Sequence, residues 1–168
     1  VKNEKIHFLF LGEGAFKTRL VLQAKSLGLT NVTLLDAVPK AEVARYISIA
    51  DVALITLRKK NTFTKVIPSK IFENAAMLKP ILLGVEGEAK EIIESYNVGL
   101  CFEPENEKDF LEKVNEIYSD ELRYQTFKNN CPELVRAFDR KKLAIKMYSY
   151  IEVLVPYSDG KKHARTTS

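Results

Sequence analysis

The sequence predicts a doubly wound α/β domain whose mainly parallel sheet has about five strands, with helices on both faces. Two observations support this fold class: the predicted strands are short, continuous apolar runs, and helical patterns separate them. Parallel strands need crossover connections that pack back on the sheet, and such a sheet is buried on both faces. Apolar runs that alternate with helices are therefore typical of this class.

The first half of the chain reads as strand, glycine turn, helix, strand, helix, strand. Ile6–Leu11 is the first strand, and Gly12-Glu13-Gly14 leads into a helical pattern. The next elements are a strand at Val32–Leu35, a helix at Pro39–Ile49 and a strand at Asp51–Leu57. The change in hydrophobic period separates the strands from the helices.

The second half begins with a predicted helix at Pro68–Leu78, whose proline suits the first helical position. The remaining elements are an apolar strand after Lys79-Pro80, a helix at Glu88–Tyr96, a strand at Gly99–Phe102, and helices from Asn106 onward with a break near Asn129–Pro132 and a last helix from about Arg140 to Leu154. We expect residues 1–155 to form one domain and residues 156–168 to form a flexible polar tail.

Composition limits the possible functions. The net charge of +4 is mild, and the tail supplies half of it through Lys161, Lys162 and Arg165 against Asp159. This balance argues against nucleic acid as a partner. No run approaches the ~20 apolar residues of a membrane span. Cys101 and Cys131 lack metal-ligand spacing, so reduced thiols, no metal site and a cytoplasmic location are expected. No catalytic triad is visible, and the catalytic residues stay unknown.

The loop before the Pro68 helix carries the strongest chemical signal. Between Val52 and Phe72 there is no Asp or Glu, whereas five cations fall there: Arg58, Lys59, Lys60, Lys65 and Lys70. Free N–H groups at a helix start bind anions, and a bound phosphate would offset the unfavourable position of Lys70 at the positive end of the helix dipole. The alternative is a solvated basic face in which Lys70 pairs with Glu73.

Glu73 is predicted to share a helix face with Ser69, Lys70 and Met77, while Ile71, Phe72, Ala75 and Leu78 face the sheet. Its carboxylate is then placed to accept hydrogen bonds from two vicinal hydroxyls, as a ribose offers. The GEG loop at Gly12–Gly14 is either simple turn chemistry or a ligand contact, because a bare GxG is weak evidence. The glycine loop at Val85–Glu88 is a weaker candidate.

The stretch PSKIFENAAMLKPILLG, followed by GLCFEPEN, resembles the donor-binding half of retaining, two-domain (GT-B type) glycosyltransferases with paired Rossmann-like domains, especially bacterial enzymes of polysaccharide biosynthesis. The resemblance implies that Glu73 holds the ribose of the donor and that the start of the same helix holds its diphosphate. The implied donor-binding residues are Glu73, Lys70, Ser69, Pro68, Ile67, Val38, Gly12 and Gly14. Lys65 stands where the family often has a sugar-binding glutamate.

The resemblance also implies parts beyond this chain. The Arg and Lys that clamp the phosphates follow a strand expected to precede Val1, so we expect the acceptor domain and one central strand to be missing. The first and third strands would then flank the place of the missing strand. The whole enzyme would transfer a sugar from a nucleotide diphosphate sugar to a lipid-linked saccharide, with no cofactor, at the inner face of the membrane. The alternatives are a non-catalytic nucleotide- or phosphate-binding module that docks a partner chain, and a basic surface for nucleic acid or anionic lipid.

Overall fold

The computed structural model describes residues 3–154, which form five strands and seven helices in alternating order up to β5. The elements are β1 (Phe8–Leu11), α1 (Lys17–Ser26), β2 (Val32–Leu35), α2 (Lys40–Ile49), β3 (Ala53–Thr56), α3 (Lys70–Ala76), β4 (Ile81–Gly84), α4 (Glu88–Tyr96), β5 (Gly99–Cys101), α5 (Glu107–Ser119), α6 (Glu121–Ala137) and α7 (Arg140–Leu154). The predicted α/β class is confirmed, and the predicted tail at 156–168 lies outside the described residues.

The five strands form two parallel sheets, β1-β2 and β3-β4-β5. The prediction of about five parallel strands is confirmed, but they do not share one continuous sheet, because β1 and β3 are not paired. Phe8 on β1 nevertheless contacts Phe110 on α5, with ring centroids 6.1 Å apart. The hydrophobic side chains of β1 and β3 thus pack against the same core cluster.

The core lies on both faces of the three-stranded sheet, as a doubly wound fold requires. Successive side chains of a strand point to opposite faces. Ile81 and Leu83 on β4 therefore join one buried cluster with α3, α4 and α6, whereas Leu82 joins a second cluster with β5 and α5. All four residues of β4 are buried, which explains its unbroken apolar sequence. Helices on both faces exclude water from this central strand.

The amino-terminal elements are much less buried than the second half. No residue of β1, α1, β2 or α2 is fully buried. Large apolar side chains there are exposed to solvent, among them Phe16 at 55%, Leu22 at 62% and Ile49 at 72%. The stable core of the described residues is therefore built by β3–β5 and α3–α6.

The predicted break near Asn129–Pro132 is wrong, because α6 continues through Pro132 to Ala137. A proline inside a helix costs about 3 kcal/mol. Phe127, Cys131 and Leu134 lie on one side of α6 and are each no more than 1% exposed, so their burial offsets that cost. The interruptions lie instead at Asp120 and at Phe138-Asp139. The last predicted helix agrees with α7, and no helix within residues 3–154 is long and apolar enough to cross a membrane.

Candidate functional site

The candidate site lies at the carboxyl ends of the strands, where ligands bind in parallel α/β sheets. Five loops leave this edge, one after each strand. The guanidinium carbon of Arg58, just after β3, lies 6.0 Å from the ring centroid of Phe16, which directly precedes α1. The contact brings the loop after β3 beside the loop after β1.

The start of α3 differs slightly from the prediction. The predicted helix was Pro68–Leu78, whereas α3 spans Lys70–Ala76. Pro68 is not the first helical residue but accepts a hydrogen bond from the N–H of Ile71 at 3.1 Å, so it still closes the first turn. The backbone N–H groups of Ser69 and Lys70 have no acceptor among the described residues. Helix-start donors of this kind can bind an anion, and the anion site itself stays a prediction.

The two faces of α3 agree with the prediction except at its end. Ile71 and Ala75 are fully buried, and Glu73 is exposed. Leu78 was predicted to face the sheet, but α3 has already ended there. Its φ of 57° is left-handed and its side chain is 42% exposed. Ile67, just before α3, packs its side chain against the core. The side chain of Ile67 is thus partly buried and partly accessible.

Glu73 is not paired with Lys70, contrary to the alternative of a solvated ion pair. No ion pair within 4.0 Å joins them in the described part of the chain. The Ser69 hydroxyl instead donates a hydrogen bond to Oε1 of Glu73 at 3.2 Å. This bond holds the carboxylate against the first turn of α3 and leaves its remaining lone pairs open to solvent.

The loop between β3 and α3, here called the basic loop, has no acidic residue of its own, and the sequence therefore suggested that its cations are unpaired. In the structure, one of them is paired. Nζ of Lys59 lies 2.6 Å from a carboxylate oxygen of Glu103 and 3.8 Å from one of Glu86. The hydrogen bond that the Lys59 ammonium donates to Glu103 raises the pKa of Lys59 above its ordinary value. Both carboxylates lie on loops that are far from Lys59 in the sequence, and these loops leave the same edge of the sheet as the basic loop does. The other four cations of the loop, Arg58, Lys60, Lys65 and Lys70, form no ion pair within the described residues.

The GEG loop is tied to the end of β2. Gly12 has a φ of 145°, which favours glycine, and its N–H donates to the carbonyl of Leu35 at 3.2 Å. Nζ of Lys17 binds Glu13 at 3.0 Å and also binds Asp36. Glu13 accepts a long bond of 3.4 Å from the N–H of Ala37, next to the half-buried Val38.

The predicted donor residues therefore form two groups. Gly12, Gly14 and Val38 lie together at the ends of β1 and β2, and Ile67 to Glu73 lie together at α3. Among residues 3–154, no hydrogen bond or ion pair joins the groups, and the contact between Arg58 and Phe16 is the link between their loops. Whether all eight residues contact one ligand stays a prediction.

Carboxylates after β5 were missed by the sequence reasoning. Glu105 and Pro104 line a groove of about 380 Å³ with Thr56, Leu57, Arg58, Gly84 and Phe102. The run FEPEN directly follows a parallel strand, so the rule that drew attention to the other loops also applies here. No group of His, Cys, Asp or Glu in the described chain is arranged to hold a metal ion.

Comparison with known proteins identifies related sequences and folds. The family described as Glycosyl transferases group 1 matches residues 1–134. The probable glycosyltransferase WbjE of Pseudomonas aeruginosa is 31% identical over 119 residues, which cover 70% of this chain and 30% of WbjE. A glycosyltransferase structure from Rickettsia africae superposes with a TM-score of 0.75 at 17% identity, covering 91% of this chain and 41% of its own. The structure of Anabaena HepE in complex with UDP superposes with a TM-score of 0.73 at 18% identity, covering 89% of this chain and 41% of HepE. The chain thus spans less than half of each of these proteins.

Proposed function

The chain belongs to the group 1 glycosyl transferases, and on that premise we propose that it is the donor-binding part of a retaining enzyme of surface polysaccharide synthesis. The enzyme transfers a sugar from a nucleotide diphosphate sugar to a hydroxyl of a lipid-linked saccharide. Family membership and the likeness to a probable glycosyltransferase support the sugar transfer. The acceptor-binding residues lie on another domain in this proposal.

The observation that carries the proposal is the position of Glu73. Its carboxylate is held by Ser69 on the first turn of α3, beside the N–H groups of Ser69 and Lys70, which have no acceptor within residues 3–154. An ionised carboxylate accepts hydrogen bonds from both hydroxyls of a ribose, and the adjacent donors and the Lys70 ammonium bind the diphosphate. Nucleoside and phosphate recognition are thus adjacent within one turn of helix.

The same groups stabilise the leaving group. Negative charge develops on the β-phosphate as the bond to the anomeric carbon breaks. Fixed N–H donors and the Lys70 cation stabilise that charge more strongly in the transition state than in the ground state, which lowers the barrier. No step of this proposal draws on a resident cofactor.

Substitution of Glu73 and Lys70 in the full-length protein tests the proposal by calorimetric titration with UDP and uridine. Glu73→Gln is expected to weaken both ligands alike, by about 1.5–3 kcal/mol, because a neutral amide replaces a charged acceptor. Lys70→Met is expected to weaken UDP alone. If Glu73→Gln leaves both binding and sugar transfer unchanged, the donor-site assignment is wrong. Tight nucleotide binding without sugar transfer would indicate a non-catalytic binding module instead.

A further inference from the structure

Arg58 and Lys59 are adjacent cations with different surroundings. The Lys59 ammonium is bound by Glu103 and Glu86, and its backbone N–H donates to Oε1 of Glu105 at 3.4 Å. Arg58 has no carboxylate within 4.0 Å among the described residues. Lys59 is therefore neutralised by groups of the protein, whereas the charge of Arg58 is available to a ligand.

The contact with Phe16 positions the Arg58 side chain. A guanidinium that faces an aromatic ring uses its π surface, while its N–H donors point outward in its own plane. At 6.0 Å from the ring centroid, Arg58 is within range of this attraction. Its N–H donors bind no acceptor within residues 3–154, and the fork geometry of guanidinium suits a phosphate group.

Arg58 also occupies a particular place in the fold. It lies two residues past the end of β3 and contacts Phe16, which directly precedes α1, so it lies at the carboxyl edge between the two sheets. It lines the groove at the ends of β3, β4 and β5 as well. Glu105, on the same groove, is engaged by the N–H of Lys59. This is the side of the sheet on which parallel α/β folds bind ligands.

We propose that Arg58 binds the diphosphate of the nucleotide donor and that Lys59 is a positioning residue, which fastens the loop after β3 to the loops after β4 and β5. The inference rests on the proposed function, because that function supplies the diphosphate. Lys59 acts through Arg58 and does not itself contact the ligand.

Titration of the full-length protein with inorganic pyrophosphate and with UDP tests the inference. Arg58→Gln is expected to weaken both ligands on the order of 10- to 100-fold, since a charge-assisted, two-pronged contact is lost. Lys25→Gln, the same charge change in the last turn of α1, is the matched control and is expected to change either affinity less than about twofold. Unchanged pyrophosphate binding in Arg58→Gln, or none in the unmodified protein, would overturn the proposal.

A double-mutant cycle separates the two roles. Lys59→Gln is expected to weaken pyrophosphate binding less than Arg58→Gln does. Lys59→Arg is expected to bind pyrophosphate like the unmodified protein, because the ion pairs with Glu86 and Glu103 are kept. The double variant should bind no more weakly than Arg58→Gln alone. If the two losses are additive in free energy, Lys59 contacts the ligand directly and the positioning role is refuted.

The failure of this inference can be told apart from failure of the proposed function. If Glu73→Gln weakens UDP and uridine while Arg58→Gln changes nothing, the donor site stands and the role of Arg58 falls. If Arg58→Gln weakens pyrophosphate while Glu73→Gln has no effect, the anion site stands and the nucleotide assignment falls. Thermal unfolding of each variant verifies that it is folded.

Discussion

Replacing Gly87 by alanine is expected to loosen the attachment of the basic loop to the core. Gly87 lies between β4 and α4 with a φ of 79°. A Cβ built on it would lie 2.0 Å from the carbonyl oxygen of Thr64. The same carbonyl accepts the N–H of Glu88 at 3.0 Å. This glycine is thus required by the packing of the protein itself, which accounts for the glycine loop at Val85–Glu88 without a ligand.

The size of the effect follows from two contributions. A left-handed φ costs a residue with a Cβ roughly 1–2 kcal/mol. The two backbones must also separate by about 1 Å to relieve the contact. That movement breaks the hydrogen bond between Glu88 and Thr64, which contributes about 1 kcal/mol. Gly87→Ala is therefore expected to lower the free energy of unfolding by about 2–3 kcal/mol, which is roughly 4–12 °C in Tm.

Chemical and thermal denaturation measure this change, with Gly14→Ala as the matched control. A Cβ at Gly14 has no atom within 4 Å, and its φ is not left-handed. Gly14→Ala is therefore expected to unfold like the unmodified protein. If Gly87→Ala unfolds at the same denaturant concentration as Gly14→Ala, the contact with Thr64 does not exist in solution and the path of the basic loop is wrong.

The remaining predictions concern the core, the thiols and the start of α7. Leu83→Ala, at a fully buried site, is expected to lower the free energy of unfolding by about 2–5 kcal/mol in denaturant titration. Leu122→Ala, at an 80% exposed site, is expected to lower it by under about 0.5 kcal/mol. Equal losses in the two variants would contradict the burial of Leu83 in the core. Burial raises the pKa of Cys101 to about 12 and of Cys131 to about 11. Stability should then fall as pH rises above the ordinary thiol pKa of 9.0, because the unfolded chain loses these protons first, and a flat alkaline unfolding profile refutes this. The backbone N–H of Lys142 donates a hydrogen bond to Asp139 and lowers the pKa of that carboxyl. The helicity of α7, measured by circular dichroism, should therefore persist above the ordinary pKa of 3.8 and fall at more acid pH. In Asp139→Ala this decrease in helicity at acid pH should be absent.

The elements that sequence reasoning predicted well are those with strong local signals. The run from Ile81 to Gly84 is apolar at every position because both faces of β4 are covered, and that pattern can be read without the structure. The start of α3 was located to within two residues by Pro68 and the polar residues after it. Pro132 misled the reasoning, because the burial of its neighbours on α6 is a tertiary effect that outweighs a local preference.

The site was predicted less completely than the fold, for a related reason. Absence of acidic residues between Val52 and Phe72 suggested unpaired cations, yet the partners of Lys59 are Glu86 and Glu103, far along the chain. Only the parallel topology brings these loops to one edge. Sequence spacing therefore located the basic loop but could not say which of its charges the protein already neutralises.

The division of the strands into two sheets has a consequence for the backbone groups at the boundary between them. Within residues 3–154, β1 pairs only with β2, and β3 pairs only with β4, so each leaves one edge with unpaired backbone N–H and carbonyl groups. Exposed edges are commonly protected by a lysine or a proline that blocks added strands, but FLFL and ALIT contain neither. A further parallel strand at the boundary between the two sheets, as the resemblance implies, would therefore find backbone donors and acceptors on both sides.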